Sequence, residues 1–188
     1  MTAPSATTAS LLLALLVTGC SAALPRVTYD HPVTNRTDNS GSVEVVTRQG
    51  TGRVPMVPGG PPLEFTRVQF NVEDQGIFAD CLREELTRLG LLRVPPAGSP
   101  DLKPDVVIVL TFTKSELRSS FYEHTLGVTM NISSGDKTFE RVYEVDSHEG
   151  ESPGKKWNTS GKEGKAMAAK KLLARLIPDI DAFLGRSS

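Results

Sequence analysis

The sequence contains little cysteine and little histidine, and both shortages limit the chemistry open to the protein. Its 188 residues include two cysteines, Cys20 and Cys81, and three histidines that are far apart in the chain. No cysteine and histidine cluster therefore has the spacing of a zinc site. If Cys20 is modified, Cys81 has no partner and no internal disulfide can form, even in an oxidising compartment. We expect no resident metal or other cofactor.

Strong net charge and the common catalytic motifs are also missing. The formal net charge is −1, so nothing global favours nucleic acid as a partner. The sequence has no Gly-x-Ser-x-Gly motif and no Ser-x-x-Lys motif with its partner motifs, which are typical of nucleophilic enzymes. Residues 59–60 lack a following helix, and Gly161 and Gly164 lack a preceding strand, so no phosphate-binding loop is predicted. These absences favour a protein that is not an enzyme.

What the sequence does contain is a short apolar run near its start that leads to a cysteine. Residues 11–17 are too few to span a bilayer, which needs roughly 20 apolar residues, but they match a signal-peptide core. Residues 17–20, Val-Thr-Gly-Cys, resemble the lipobox of bacterial lipoproteins, although no lysine or arginine precedes them. The resemblance implies that residues 1–19 are removed and that Cys20 carries lipid. The residue after the cysteine is Ser21 and not aspartate, which resembles the default for sorting to the outer membrane. This resemblance implies a protein that faces the periplasm.

Ordinary signal cleavage is the alternative interpretation of the same stretch. Cleavage after Ala22 or Ala23 would release a soluble periplasmic binding protein. We favour lipidation because the cysteine closes the apolar run and a polar segment follows. Each buried methylene contributes about 0.8 kcal/mol, so several acyl chains hold a protein durably on a membrane. The expected partners are the membrane, through this anchor, and an envelope protein.

Residues 20–62 have the composition of a flexible tether. Proline, glycine, threonine, serine and asparagine dominate, and such segments bury too little apolar surface to offset the entropy of ordering. One stretch is a candidate exception, since residues 43–46 and 53–57 flank a glycine-containing turn and fit a β-hairpin. Pro55 would keep its strand at a sheet edge. A single folded domain is predicted to span residues 63–188.

The first half of that domain predicts a strand and then a helix. The domain is expected to begin near Phe65, and residues 67–72 alternate polar and apolar side chains, which favours a half-buried strand. Asp74 is then expected to N-cap a helix that ends at Leu89, before Gly90. One apolar stripe follows the helical period: Ile77, Phe78, Cys81, Leu82, Leu86 and Leu89. Because Cys81 lies on this stripe, we expect a buried side chain and not a reactive thiol.

The second half predicts three strands and a final helix. Residues 105–112 are the most strand-like segment, and their first half is apolar on both faces, which favours cover on both sides. Residues 126–132 follow, then a turn at 134–137 and a strand whose one face carries Phe139, Tyr143 and Val145. The last helix is expected to start with a capping box at Ser160 and Glu163 and to kink or break at Pro178. Its predicted buried side chains are Ala166, Ala169, Leu173, Leu176, Ile180 and Phe183.

These elements predict an α+β fold with an antiparallel sheet and two amphipathic helices on one face, in the order β-α-β-β-β-α. With its lipobox, its polar tether and this order of elements, the chain resembles a group of small envelope lipoproteins. The group includes YajG-type lipoproteins, the lipopolysaccharide-assembly lipoprotein of the outer membrane, and the domain shared by the TolB amino-terminal half and curli-secretion lipoproteins. Residues 78–86, 90–94 and 105–108 carry the resemblance. It implies a non-enzymatic accessory or assembly part of an envelope complex, of the transport or export type.

Two histidines supply an alternative function, a secreted or anchored hydrolase. His124 lies on a predicted strand beside Glu123, but adjacent strand residues face opposite sides and do not make a preformed acid and base pair. His148 lies in a predicted loop among three acidic residues. A weak metal site there is the less favoured interpretation, and a solvated acidic loop is preferred.

One stretch is strongly uneven in charge. Residues 155–175 contain seven basic side chains and one acidic side chain, Glu163. This basic run consists of Lys155, Lys156, Lys162, Lys165, Lys170, Lys171 and Arg175. It would suit anionic lipid or an acidic partner, with Trp157 as a surface anchor, and reversing Lys165, Lys170 and Lys171 should then weaken binding without unfolding the domain. The preferred interpretation is a solvated helix surface, balanced by acidic residues elsewhere such as Glu84, Glu85, Glu140 and Glu144.

Overall fold

The computed structural model describes residues 23–30, 41–50, 70–93, 103–118, 123–150 and 161–185. They form four strands and two helices, which confirms the α+β class and the predicted order β-α-β-β-β-α. The elements are β1 (Val43–Gln49), α1 (Val72–Arg88), β2 (Val106–Arg118), β3 (Glu123–Ser134), β4 (Lys137–Asp146) and α2 (Gly161–Gly185).

The first strand lies earlier in the chain than predicted. β1 falls inside residues 20–62, the segment assigned to the tether, and its Val43 and Val45 side chains are buried in the core. The predicted strand at residues 67–72 is wrong at its end, because Phe70 and Asn71 are not in a strand and Val72 already belongs to α1. Residues 65–69 and the second half of the predicted hairpin, 53–57, lie outside the described residues. The polar composition of this segment gave the wrong prediction, because β1 buries only two valines and is otherwise held by pairing with β2.

The sheet is mixed and has the strand order β1-β2-β3-β4. β1 pairs with β2 in parallel, whereas the pairs β2–β3 and β3–β4 are antiparallel. The prediction of an entirely antiparallel sheet is therefore wrong at one edge. Parallel neighbours need a long crossover connection, and α1 lies between β1 and β2 in the chain.

The N-cap of helix α1 lies three residues before the predicted cap, Asp74. Asn71 is the N-cap, and its side chain accepts a hydrogen bond from Asp74 N at 2.9 Å. Asp74 Oδ2 in turn accepts from Asn71 N at 3.1 Å, which completes a capping box. Asp74 therefore sits in the first turn and is not the cap. The predicted stop is confirmed, because Gly90 adopts a φ of 71° directly after the C-cap residue.

Both helices cover the same face of the sheet. Phe78 of α1 contacts Phe112 of β2 edge-on with 6.1 Å between ring centroids, and Phe183 of α2 lies 6.4 Å from Phe139 of β4. The strand register places Phe112 and Phe139 on this one face. Further predicted core side chains are buried there, which confirms the predicted helix phases: Cys81, Leu86, Val128, Met130 and Leu173.

Helix α2 continues through Pro178 to Gly185, so the predicted break does not occur. A proline inside a helix costs roughly 3 kcal/mol, because its N–H is missing and its ring crowds the preceding turn. Leu176, Ile177 and Ile180 surround Pro178 in the sequence and are all fully buried. Their packing outweighs the local penalty. Ser160, the predicted capping residue, lies outside the described residues.

Candidate functional site

Residues 23–30, which we call the N-terminal strap, pack along α1. At the start of the helix, Leu24 N donates a hydrogen bond to Asp74 Oδ1 at 2.7 Å. At its end, Arg88 Nη2 donates to the Tyr29 carbonyl at 2.7 Å. Three apolar side chains of the strap are buried: Leu24, Val27 and Tyr29. The strap is therefore part of the folded domain, although the sequence assigned these residues to the tether.

A buried ion pair joins the strap to both helices. Lys165 Nζ of α2 lies 2.8 Å from Asp74 Oδ2, and the two side chains are 5% and 0% exposed. Asp74 also accepts from Leu24 N and Asn71 N, so each carboxylate oxygen has a donor. A charge inside a protein must be paired and hydrogen-bonded, and this arrangement meets both requirements. Lys165, predicted as part of an anion-binding surface, instead holds the interior together.

The C-terminal half of the basic run is bonded to the end of β4 and the turn after it. Lys171 Nζ donates to the carbonyl of Ser147 at 2.8 Å and to that of Glu149 at 2.6 Å. Arg175 Nη2 lies 2.6 and 2.7 Å from the two carboxylate oxygens of Glu149. These cations thus fasten α2 to the sheet.

The remaining described members of the basic run differ from one another. Lys170 forms an ion pair with Asp30 of the N-terminal strap, while Lys162 is exposed in the first turn of α2. Lys155, Lys156 and Trp157 lie outside the described residues. Of the acidic residues named from the sequence, Glu84, Glu85 and Glu144 pair with Arg26, Arg88 and Lys114. The basic side chains of α2 are therefore balanced mainly by Asp30 and Glu149 at the surface and by Asp74 in the interior.

His124 and His148 are both buried, with 1% and 2% of their surface exposed. His124 N donates to Ser147 Oγ at 2.9 Å, and Ser147 N donates to the His124 carbonyl at 2.8 Å. The two histidines therefore lie near each other, where β3 begins and β4 ends. The expectation that His148 sits in a solvated loop is wrong. Within the described residues, no group of three or more histidine, cysteine or acidic side chains could hold a metal ion.

A polar cluster joins α2 to β4 on the helix side of the sheet. Arg141 Nη1 lies 2.9 Å from both carboxylate oxygens of Asp179, and the Tyr143 hydroxyl donates to Asp179 Oδ2 at 2.6 Å. Burial, and then the hydrogen bond and negative charge of Asp179, raise the pKa of Tyr143 far above its ordinary value. Tyr143 therefore remains protonated and acts as a structural donor.

The other face of the sheet, which we call the open face, is not covered by any described helix or strand. The register places Thr111, Thr129 and Val142 in one row across three strands. Val46 and Val109 occupy the next row, opposite each other on β1 and β2. Val142 is 68% exposed, whereas the other four are half-buried. The sequence predicted that the first half of β2 is covered on both faces. Among the described residues, helices cover only one of these faces.

No protein-family model matches the chain, and no curated protein matches it. Solved structures with a similar arrangement include the hypothetical protein CT253 from Chlamydia trachomatis, with 10% identity over 77% of this chain and 98% of that chain and a TM-score of 0.48. XCC0632 from Xanthomonas campestris, of family DUF330, has 10% identity over 88% and 98% and a TM-score of 0.49. PelC from Paraburkholderia phytofirmans, a dodecamer, has 12% identity over 85% and 93% and a TM-score of 0.41. Similarities of this size assign neither a family nor a function.

Neither described helix has both the length and the apolar character needed to cross a bilayer.

Proposed function

We propose that the chain is a lipid-anchored, periplasm-facing lipoprotein of the outer membrane. In this proposal it serves as a non-catalytic binding or assembly module in an envelope complex of the transport or export type. The lipobox that ends at Cys20 supports the anchor, and the open face supports the binding role. The exposed Val142 on an edge strand is the observation that carries the binding role.

Two features make the region around Val142 suitable for a protein partner. β4 is the last strand of the sheet, so one of its backbone edges is not paired with a described strand. Such an edge can accept an additional strand from a partner through main-chain hydrogen bonds. Val142 and the threonines beside it add a surface that is apolar at its centre and polar at its margin, which is the usual anatomy of a protein interface.

The paired charged groups support a role in binding more than one in catalysis. Asp74 and Lys165 neutralise each other inside the fold, and Asp179 is bonded by both Arg141 and Tyr143. Each of these groups joins two elements of the domain. Their arrangement is the one expected of a rigid scaffold that presents a surface.

The lipid anchor is tested by replacing its cysteine. Cys20→Ala should abolish incorporation of labelled palmitate and leave the full-length precursor, because the thiol is the acylation site. Cys81→Ala is the matched control, since Cys81 is buried in the core and should not affect acylation. A wild-type protein without palmitate, whose mature N-terminus follows Ala22 or Ala23, would contradict the proposal.

The binding surface is tested by placing a charge on the open face. Val142→Glu should remove the partner that co-purifies with the protein from gently solubilised membranes, because the carboxylate would be desolvated in the interface. Thr87→Glu introduces the same charge at an exposed position of α1, in the opposite layer, and should retain the partner. Both variants must show the thermal stability of the wild type. Equal partner recovery with both variants would contradict a binding role for this face.

A further inference from the structure

The chain between the proposed lipid and the folded domain is very short. Leu24 is buried and bonded to Asp74, and Cys20 precedes it by only four residues. Four extended residues span at most about 14 Å. A free tether of about 40 residues, as the sequence predicted, would have a typical span of roughly 30–40 Å. The N-terminal strap therefore shortens the link to the lipid and fixes its point of departure.

That point of departure lies at one defined end of the domain, where both helices begin. Asp74 is in the first turn of α1 and pairs with Lys165 near the start of α2. Phe183, near the end of α2, contacts Phe139 near the start of β4, so the β3–β4 turn belongs to the opposite end. With 25 residues, α2 is about 37 Å long, which separates the two ends.

The surface of this helix-start end is compatible with a bilayer interface. Val72, the first residue of α1, is 71% exposed. Glu73, Lys162 and Glu163 are exposed on the two first turns, so this end carries charges of both signs. Two of these three side chains are acidic, so they do not attract the domain to anionic head groups. An upright orientation therefore has to come from the acyl chains and the short link, with Val72 as an exposed apolar side chain at this end.

We infer that the helix-start end, which carries the exposed Val72, lies against the lipid surface and that the domain stands upright on it. This inference rests on the proposed lipidation of Cys20. The strands then run away from the membrane, and the open face looks sideways along it. A partner embedded in the same membrane would therefore approach Val142 from the side, parallel to the membrane plane.

The test uses the full-length acylated protein in vesicles of phosphatidylethanolamine and phosphatidylglycerol that contain a nitroxide-labelled head group. Acylation of Cys20 is first confirmed by intact mass. A fluorophore is attached to either Val72→Cys or Asp136→Cys, which lie at the two ends of the domain. Cys81 is buried, and the parent protein without an added cysteine measures any labelling there. We expect strong quenching at position 72 and none at position 136.

A spacer variant supplies the matched control. Twenty glycine and serine residues inserted between Ala22 and Ala23 leave the strap and its contacts in place but lengthen the link to roughly 25 Å. The label at position 72 should then lose most of its quenching, while the melting temperature remains that of the parent. This control separates proximity caused by the short link from a direct affinity of the domain for lipid.

The outcomes separate the two proposals. Equal quenching at positions 72 and 136 on an acylated protein overturns the upright orientation and leaves the lipoprotein proposal intact. Quenching at position 72 that the spacer does not change also overturns the inference, because the short link would not be its cause. An intact mass without acyl chains overturns the orientation and the proposed anchor together.

Discussion

At the scale of single residues, Asp74 connects three parts of the domain. Its carboxylate receives hydrogen bonds from the N-terminal strap, from the helix cap and from Lys165 of α2. These partners lie 50, 3 and 91 residues away in the sequence. One side chain thus joins three segments, and its hydrogen bonds offset part of the entropy that closing these loops costs. The long separations explain why the sequence suggested only a helix cap at this position.

The Asp74–Lys165 pair leads to a prediction about stability. Lys165→Met should lower the free energy of unfolding by about 3–5 kcal/mol, because removing one partner leaves a buried charge without compensation. The two backbone donors that remain on Asp74 favour the lower end of that range. Urea denaturation provides the measurement.

An exposed lysine of the same helix provides the control for this prediction. Lys162→Met should change stability by no more than about 0.5 kcal/mol, as is usual for surface substitutions. If both variants are equally stable, the buried pair is not formed in solution. Any charge-reversal test of the basic run should therefore omit Lys165, since its replacement would damage the interior and mimic lost binding.

At the scale of elements, β1 depends on contacts that the rest of the chain supplies. Arg83 of α1 donates a hydrogen bond to the Val45 carbonyl, and Ser42 N and Ser42 Oγ donate to Asp105 Oδ2 at 2.7 and 3.0 Å. Asp105 directly precedes β2, the strand that pairs with β1. These bonds place the start of β1 beside the start of β2. A seven-residue strand in a polar segment is stable for this reason.

The Asp105 contact predicts a pH dependence. Hydrogen bonds from the backbone and hydroxyl of Ser42 lower the pKa of Asp105 below its ordinary value. A lowered pKa in the folded state adds stability above the unfolded value of about 3.9, and that stability is lost as pH falls through the folded value. Asp105→Asn should therefore be less stable than the wild type at pH 7 and lose less stability on acidification. Urea denaturation between about pH 7 and pH 2 measures both slopes.

Asp136→Asn is the control for acidification, because Asp136 is exposed in the β3–β4 turn. Its stability should follow the wild type across the same pH range. If the Asp105 variant also follows the wild type at every pH, Ser42 does not stabilise the ionised carboxylate and β1 is held by pairing alone.

At the scale of the whole molecule, the folded unit is larger than the sequence indicated. The N-terminal strap and β1 together contribute five buried apolar side chains: Leu24, Val27, Tyr29, Val43 and Val45. Burial of an apolar side chain contributes about 1.5–3 kcal/mol, and whole domains are stable by only about 5–15 kcal/mol. A domain without these residues would lose most of its stability.

Two truncations test this boundary. A chain that begins at Ala23 should unfold cooperatively with the melting temperature of the mature protein. A chain that begins at Leu63, the boundary predicted from the sequence, should lack a cooperative transition, because it lacks the strap and the edge strand. Circular dichroism during heating distinguishes the two. Equal melting temperatures would show that residues 23–50 do not belong to the folded unit.

The sequence by itself determined the elements whose side chains repeat strongly. The apolar stripe of α1, the alternation of β3 and the glycine that ends α1 predict their own local structure, because each pattern matches a backbone period or a required φ angle. The same patterns predicted which leucines are buried. For the candidate site, the lipobox predicts Cys20 and the charge pattern predicts the basic run; Cys20 lies outside the described residues and stays a prediction.

Only the tertiary structure decided the rest. β1 is parallel, the strap is docked, Pro178 lies inside a continuous helix, and Lys165 is buried, since each depends on partners far away in the sequence. Hydrophobic burial and ion pairing depend on which residues are close in space. The average composition of a segment does not show whether a distant part of the chain will pack against that segment. The end of the domain from which the chain leads back to Cys20 was decided in the same way, by one carboxylate that bonds the strap and both helices.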